Sequence, residues 1–314
     1  MLRDYLFEIY KDHKTEDIEK CLVNTQTQYP SLTTKQILEA ITNITLYSGT
    51  SGYLYEWWLE KNVPTGFYPS NVPKRKLLNE YTKYFSFVEI NGTFYKLPTE
   101  KAVKEWYTTT PDNFRFSVKM SKFATHSKKL ADFKEHLAVF WNLVKHLEDK
   151  LLAILIQLPP NFKYSNKKGI DGKTMFERVK EAVKITKSYK CDFYFEFRDI
   201  SWFSGEGLAK LESLFSGKSK CSMVFVNSIS GLGNLESGWS PGLDKIGKVG
   251  SKAYFRLHGI KYKGLYSKGT LTHAFNEAKT KVNTIVFAFD NTDSLTNVNS
   301  RALPDAVINA MMID

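Results

Sequence analysis

CDFYFEFR at residues 191–198 and KAYFRLHG at residues 252–259 decide the reading of the fold, because apolar and polar residues alternate up to the end of each run. Successive side chains of a strand point to opposite faces, so Phe193, Phe195 and Phe197 share one face and leave Glu196 and Arg198 on the other. In the second run Phe255 and Leu257 turn outward, while Arg256 and His258 turn inward. Six further β-rich runs lie around these two: ITLYSGTS (44–51), FSFVEING (85–92), NFRFSVKM (113–120), LLAILIQL (151–158), CSMVFVNS (221–228) and NTIVFAFD (283–290). Most are separated by stretches with helical spacing of apolar residues, among them LNEYTKYF, EKAVKEWY, DFKEHLAVFWNLVKHLED, FERVKEAVKITKSY, EGLAKLESLF and DAVINAMM. Eight βα units predict a TIM (β/α)8 barrel over residues 45–314. A doubly wound open sheet is the alternative, but it has edges and usually fewer strands.

Residues 1–44 fall outside this alternation. LRDYLFEIYK and TTKQILEAI read as short amphipathic helices around a polar TQTQYPS link, and predict a helical N-terminal extension. The chain of 314 residues is 42% hydrophobic and 25% charged, and lacks the apolar run of roughly 18 residues that a membrane-spanning helix needs. Its charged start does not resemble a secretory signal, and Cys21, Cys191 and Cys221 suit reduced thiols rather than a disulfide framework. A cytoplasmic protein with no membrane partner is the expectation. Lys and Arg number 44 against 33 Asp and Glu, a formal charge of +11 that favours an anionic partner such as nucleic acid or a phosphorylated small molecule.

The inward polar residues concentrate at the C-terminal ends of their strands, the face that carries binding and catalysis in a TIM barrel. They are Glu89, Asn91, Lys119, Gln157, Glu196, Arg198, Asn227, Arg256, His258 and Asp290. In FSFVEING, Phe87 is set aside from the core, and Val88 and Ile90 oppose Glu89 and Asn91. Buried polar groups need partners, so the cluster reads either as a functional mouth or as an ion-pair network closing the barrel.

SGTSGYLYEWW, FVEINGTFYKLPTE, TPDNFRFSVKMSKFATH, ILIQLPPNF, FYFEFRDISWF, YFRLHG and FDNTDSLTNVNSRAL together, in that order, resemble the YecE-like family, also called domain of unknown function 72. The resemblance spans about residues 47 to 310 and implies a TIM barrel of unsettled biochemical role. It also implies recurrent polar residues at Glu89, Asn91, Tyr95, Lys119, Thr125, His126, Gln157, Glu196, Arg198, Trp202, Arg256, His258 and Asn291. Asp290 stands where the family usually shows asparagine, and Asn227 where aspartate is common.

Glu89 and Glu196, on the second and fifth strands, are candidate catalytic carboxylates, with His258 and His126 as candidate acid–base groups. Asn91, Tyr95, Lys119, Thr125, Gln157, Arg198, Trp202, Arg256 and Asn291 are candidate ligand-binding residues. Arginine forks and a lysine at one mouth suit phosphate or carboxylate. A divalent metal, Mg, Mn or Zn, would have to be assembled from separate strands, since no compact metal motif occurs. Tyr53, Tyr55, Trp57, Trp58, Tyr95, Trp202, Trp239 and Tyr262 fall in loops where they could stack a base or sugar ring, while Trp106 and Trp141 read as core. A nuclease or phosphodiesterase is the favoured reading. A noncatalytic nucleic-acid or metabolite-binding barrel, and a sugar-processing hydrolase or isomerase using the paired glutamates, stand as alternatives.

Overall fold

The computed structural model describes residues 44–60, 66–216, 220–227, 238–259, 262–298 and 301–313. The helical extension expected over residues 1–44 therefore lies outside the described residues, save Ile44. Eight parallel strands form the barrel: β1 (Thr45–Thr50), β2 (Phe87–Ile90), β3 (Arg115–Lys119), β4 (Leu151–Gln157), β5 (Asp192–Glu196), β6 (Cys221–Asn227), β7 (Ala253–Leu257) and β8 (Thr284–Phe289). From β2 to β8 each strand pairs with the next in sequence, and β8 pairs with β1 in register from Thr45↔Thr284 to Thr50↔Phe289. The eight runs of the sequence are these eight strands.

Helices follow most strands: α1 (Leu77–Tyr81), α2 (Gly92–Tyr95), α3 (Glu100–Thr108), α4 (Phe133–Val144), α5 (Met175–Thr186), α6 (Gly205–Phe215), α7 (Lys268–Lys279) and α8 (Asp305–Met311). Their starts are chemically marked. Thr99 and Ser267 accept a backbone N–H at the first turns of α3 and α7, and Thr174 with Glu177 forms a capping box at α5. Between β6 and β7 the described residues hold only the one-turn helix Leu243–Lys245 and the short strand Trp239–Ser240, antiparallel to β6. Among the described residues the expected βα alternation is thus abbreviated there.

Period-two alternation sorts the strands into two cores. Outward residues such as Phe193, Phe195, Phe255 and Leu257 pack against the helices in one large cluster. Inside the barrel, Phe87, Ala153, Leu155, Tyr194, Val224, Val226, Tyr254, Val286 and Ala288 fill the lower layers, and the charged residues sit at the strand ends above them. Phe87 corrects the sequence expectation: two residues before Glu89 on the same strand, it must share that residue's inward face, and it meets Tyr254 in an edge-on contact.

The barrel is nearly closed. At the seam between β1 and β2 only a bridge at Ser51↔Glu89 continues the sheet, with Gly52 N–H donating to the Glu89 carbonyl. Below it the Tyr81 hydroxyl stands between the strands, accepting from the Thr50 N–H at 2.9 Å and lying 3.1 Å from the Phe87 carbonyl as donor. Gly49 permits this approach, since a Cβ there would come within 2.1 Å of the Phe87 carbonyl oxygen. Tyr81→Phe strands a buried N–H and C=O, and we expect a loss of about 1–3 kcal/mol in urea unfolding. A change below the error of the measurement would show that the seam does not depend on the hydroxyl.

Both described cysteines are buried. Burial pushes the Cys191 thiol up to about 12 and raises that of Cys221, which suits small core hydrophobes rather than nucleophiles.

Candidate functional site

Arg256 is the hub of the barrel mouth. It lies on β7, fully buried, two residues above Tyr254 on the inward face, so the strand directs its guanidinium along the barrel axis rather than into solvent. Its Nη1 donates to Glu196 Oε2 at 2.5 Å. Nη2 donates to Glu89 Oε1 at 2.8 Å and to Asp290 Oδ2 at 3.1 Å, and Nε lies 3.1 and 3.2 Å from the two oxygens of Glu89. One planar fork therefore serves three carboxylates from β2, β5 and the end of β8, a geometry a lysine could not reproduce.

The carboxylates have further donors. Ser51 Oγ and Tyr254 Oη each donate to Glu89 at 2.7 Å, and Gln157 Nε2 donates to Glu196 Oε1 at 2.8 Å. His258 lies between two acids, its Nδ1 2.9 Å from Asp290 Oδ2 in an ion-pair contact and its Nε2 3.4 Å from Glu196 Oε1. Arg198 approaches Glu196 at 3.8 Å. Burial alone would raise Glu196 and Asp290, but Arg256 and His258 outweigh it and hold both carboxyls below their ordinary values. Burial works against the His258 imidazolium, yet Asp290 and Glu196 raise its pKa overall.

That raised value fixes the sign of a pH effect. The stability contributed by the His258 charge is fully present below the unfolded value of about 6.5 and is lost as pH rises through the folded value above it. The Asp290 and Glu196 carboxyls facing it, with Arg256, stay charged through that range. The gap in melting temperature between the wild type and His258→Gln should be widest below about pH 6 and narrow in alkaline buffer. A gap constant from acid to alkaline pH would mean that the imidazole acts only by packing.

Above this network opens a cleft of about 770 Å³. Its walls are aromatic, with Tyr53, Tyr55, Trp57, Phe94, Tyr95, Trp106 and Tyr262, and its cations are Lys119, Lys122 and Arg198. Asn91, His126, Gln157, Asp290, Thr292 and Asp293 complete the polar lining. Trp57 is fixed by donating its indole N–H to the Thr292 carbonyl at 2.7 Å, and Tyr95 stands 80% exposed at the rim. His126 is carried by a π-helical turn, Phe123–Ser127, and its Nδ1 lies 2.9 Å from the Thr125 hydroxyl. Burial and the charges of Lys119 and Arg198 push its imidazole down to about 4, so it is neutral at physiological pH. Burial and the neighbouring Arg256 also lower the pKa of Lys119, which lies under the Phe94 ring at 4.4 Å from its centroid.

The structure thus brings Asn91, Tyr95, Lys119, His126, Gln157 and Arg198 to the cleft and Thr125 to the back of His126. Glu89, Glu196, Arg256 and His258 gather beneath it as one bonded cluster. Trp202 lies elsewhere: it is fully buried, donates to the Phe162 carbonyl at 2.6 Å and stacks on Phe162. Asn291 is also fully buried and donates to the Gly264 carbonyl at 2.6 Å, holding the loop beyond β7. Trp58 and Trp239 are buried as well, whereas Trp106, expected in the core, forms part of the cleft wall. Ser51, Tyr254 and Lys122 escaped the sequence reading. Tyr254 was findable, since it precedes Arg256 by two on one strand; Ser51 and Lys122 carried no signal beyond their loops.

A divalent cation does not fit this donor set. Each of Glu89, Glu196 and Asp290 is already bonded to a buried guanidinium that a cation would have to displace or repel. Among the described residues no group of three His, Cys, Asp or Glu side chains is arranged to hold a metal ion. Nor is any helix among them long and apolar enough to cross a membrane.

Comparison with known proteins finds relatives of the chain as a whole. The profile described as "Protein of unknown function DUF72" matches residues 47–311. UPF0759 protein YunF of Bacillus subtilis is 28% identical over 148 residues, 44% of this chain and 48% of that protein. UPF0759 protein YecE of Escherichia coli is 32% identical over 85 residues, 27% of this chain and 31% of that one. The chain thus aligns with less than half the length of these curated relatives. A DUF72 family protein from Thermotoga maritima has a similar structure, with TM-score 0.63 and 26% identity, covering 86% of this chain and 97% of that one. One from Enterococcus faecalis shares the fold at TM-score 0.62 and 17% identity, covering 86% and 94%.

Proposed function

The chain belongs to the DUF72 family, and from that premise we propose that its mouth cleft binds a phosphate-bearing ligand whose ring stacks on the aromatic wall. The observation that carries this reading is the pairing of Lys119, Lys122 and Arg198 with seven aromatic side chains in one cleft. Cations that meet in a confined, partly desolvated space suit a compact anion, and exposed aromatic faces suit a base or sugar. The volume falls within the range usual for small-molecule sites.

Among the reactions open to such a site, metal-assisted phosphodiester cleavage is not supported by the donor set, because its carboxylates are bound to Arg256. A glutamate pair acting on a sugar meets the same obstacle: Glu89 and Glu196 are fully buried on one guanidinium, with Gln157 between Glu196 and the cleft. Among the acid–base groups that face the cleft, His126 is an imidazole held neutral, with a free lone pair for proton transfer.

Calorimetric titration with inorganic phosphate, a 5′-mononucleotide and a single-stranded oligonucleotide tests the reading. We expect phosphate and the mononucleotide to compete for one site with affinity that falls as salt rises, and chelator to leave binding unchanged. No phosphate binding even at low salt would overturn the proposal. Binding confined to the oligonucleotide, with a steep salt dependence, would move the ligand class to nucleic acid.

A further inference from the structure

Lys119 is the last residue of β3, where the barrel delivers its side chain to the floor of the cleft. It is 93% buried by the protein, being 7% exposed, and its amine rests on the Phe94 ring. Among the described residues its Nζ has neither a carboxylate within ion-pairing distance nor a hydrogen-bond acceptor; Glu89, Glu196 and Asp290, the acids facing it, are bonded to Arg256 instead. Lys150 is the instructive contrast. Equally buried, it spends its protons on the Tyr107 and Thr110 carbonyls, as a structural ammonium does. A lysine left without partners in a cleft is in the setting that makes its amine a nucleophile.

We propose that Lys119 is a Schiff-base residue, whose amine condenses with the carbonyl carbon of a small phosphate-bearing aldehyde or ketone bound in the cleft. This rests on the reading that the cleft takes a phosphate-bearing ligand, with Lys122 and Arg198 holding the phosphate. The neutral amine lone pair forms the C–N bond as the carbonyl π pair moves onto oxygen. The nitrogen gives up a proton and the oxygen gains one, yielding a carbinolamine. The hydroxyl is then protonated and leaves as water while the nitrogen lone pair closes the C=N bond, and the resulting iminium gives up its remaining N–H proton to solvent, so amine and carbonyl become imine and water with no oxidant or reductant. His126, neutral and facing the same cleft, takes the proton from nitrogen and returns it to the departing hydroxyl. The lowered pKa of Lys119, set by its burial and by Arg256 against the opposing Asp290, Glu196 and Glu89, supports the step by raising the share of free amine.

The test is reductive trapping of the full chain at neutral pH with dihydroxyacetone phosphate and cyanoborohydride, followed by peptide mapping. Modification of Lys119 is expected to exceed that of the exposed lysines by about tenfold or more, and to be suppressed by excess inorganic phosphate. Labelling of Lys119 no faster than that of exposed lysines, or none, overturns the inference. In the same samples calorimetry with inorganic phosphate reports the binding reading separately: phosphate bound without a trapped adduct sinks only the Schiff base, and no phosphate bound sinks both. Lys119→Arg, which forms no imine, should lose the adduct. The wild-type peptide map decides the matter even if that variant does not fold.

Discussion

Arg256→Met is expected to destabilise the protein by about 3–5 kcal/mol, the largest effect of any single substitution at the mouth. The guanidinium contacts Glu89, Glu196 and Asp290, and the first two are wholly removed from water. Methionine keeps much of the length but leaves three acids around an apolar stem. They must then either stay ionised without a counter-charge or take up protons, and both cost free energy. Denaturant unfolding at neutral pH measures the loss through the shift in midpoint at constant slope. Acid should narrow the difference, since Glu196 and Asp290 are held below their ordinary values and their contribution is present above the unfolded pKa of about 4 and lost as pH falls through the folded value. Near wild-type stability in Arg256→Met would show that the network does not close the barrel.

Arg198→Ala should weaken the binding of inorganic phosphate by about 10- to 100-fold, the worth of a charged hydrogen bond in a partly desolvated site. Arg198 lines the cleft, with a side chain 27% exposed, and its closest carboxylate contact, Glu196 at 3.8 Å, is too long to engage the fork. Its removal should therefore cost little stability. The melting temperature of Arg198→Ala in the absence of phosphate, beside its calorimetric affinity, separates the two effects. Unchanged affinity would place the anion elsewhere. A large fall in melting temperature would instead make Arg198 part of the ion-pair scaffold below.

The two arginines were indistinguishable as sequence. Each follows an inward residue by two on a barrel strand or its extension, and each was expected to hold an anion. Tertiary packing separates them: Arg256 sits one layer deeper and is ringed by acids, whereas Arg198 emerges beyond the end of β5. The same depth divides the histidines, since His258 is locked between Asp290 and Glu196 while His126 looks into the cleft. Trp202 and Asn291 show the opposite failure. A residue in a loop beyond a strand end can fold back onto the outer layer, and no periodicity reports which way a loop turns.

What the sequence by itself determined is the architecture: eight strands, their order and, Phe87 apart, which of the side chains it assigned face the barrel axis. The reason is local, because a two-residue period and helical spacing are properties of neighbouring residues and the hydrophobic effect needs only their pattern. What the tertiary structure alone decided is the division of the mouth into a closed ion-pair layer and an open cationic cleft. That division depends on how far each strand end rises, on a guanidinium from β7 meeting acids from β2, β5 and the end of β8, and on loops that place Trp106, Lys122 and His126 beside Lys119. Ion pairing between residues 34 to 167 positions apart is set by distances of a few tenths of an ångström, which only the folded chain defines.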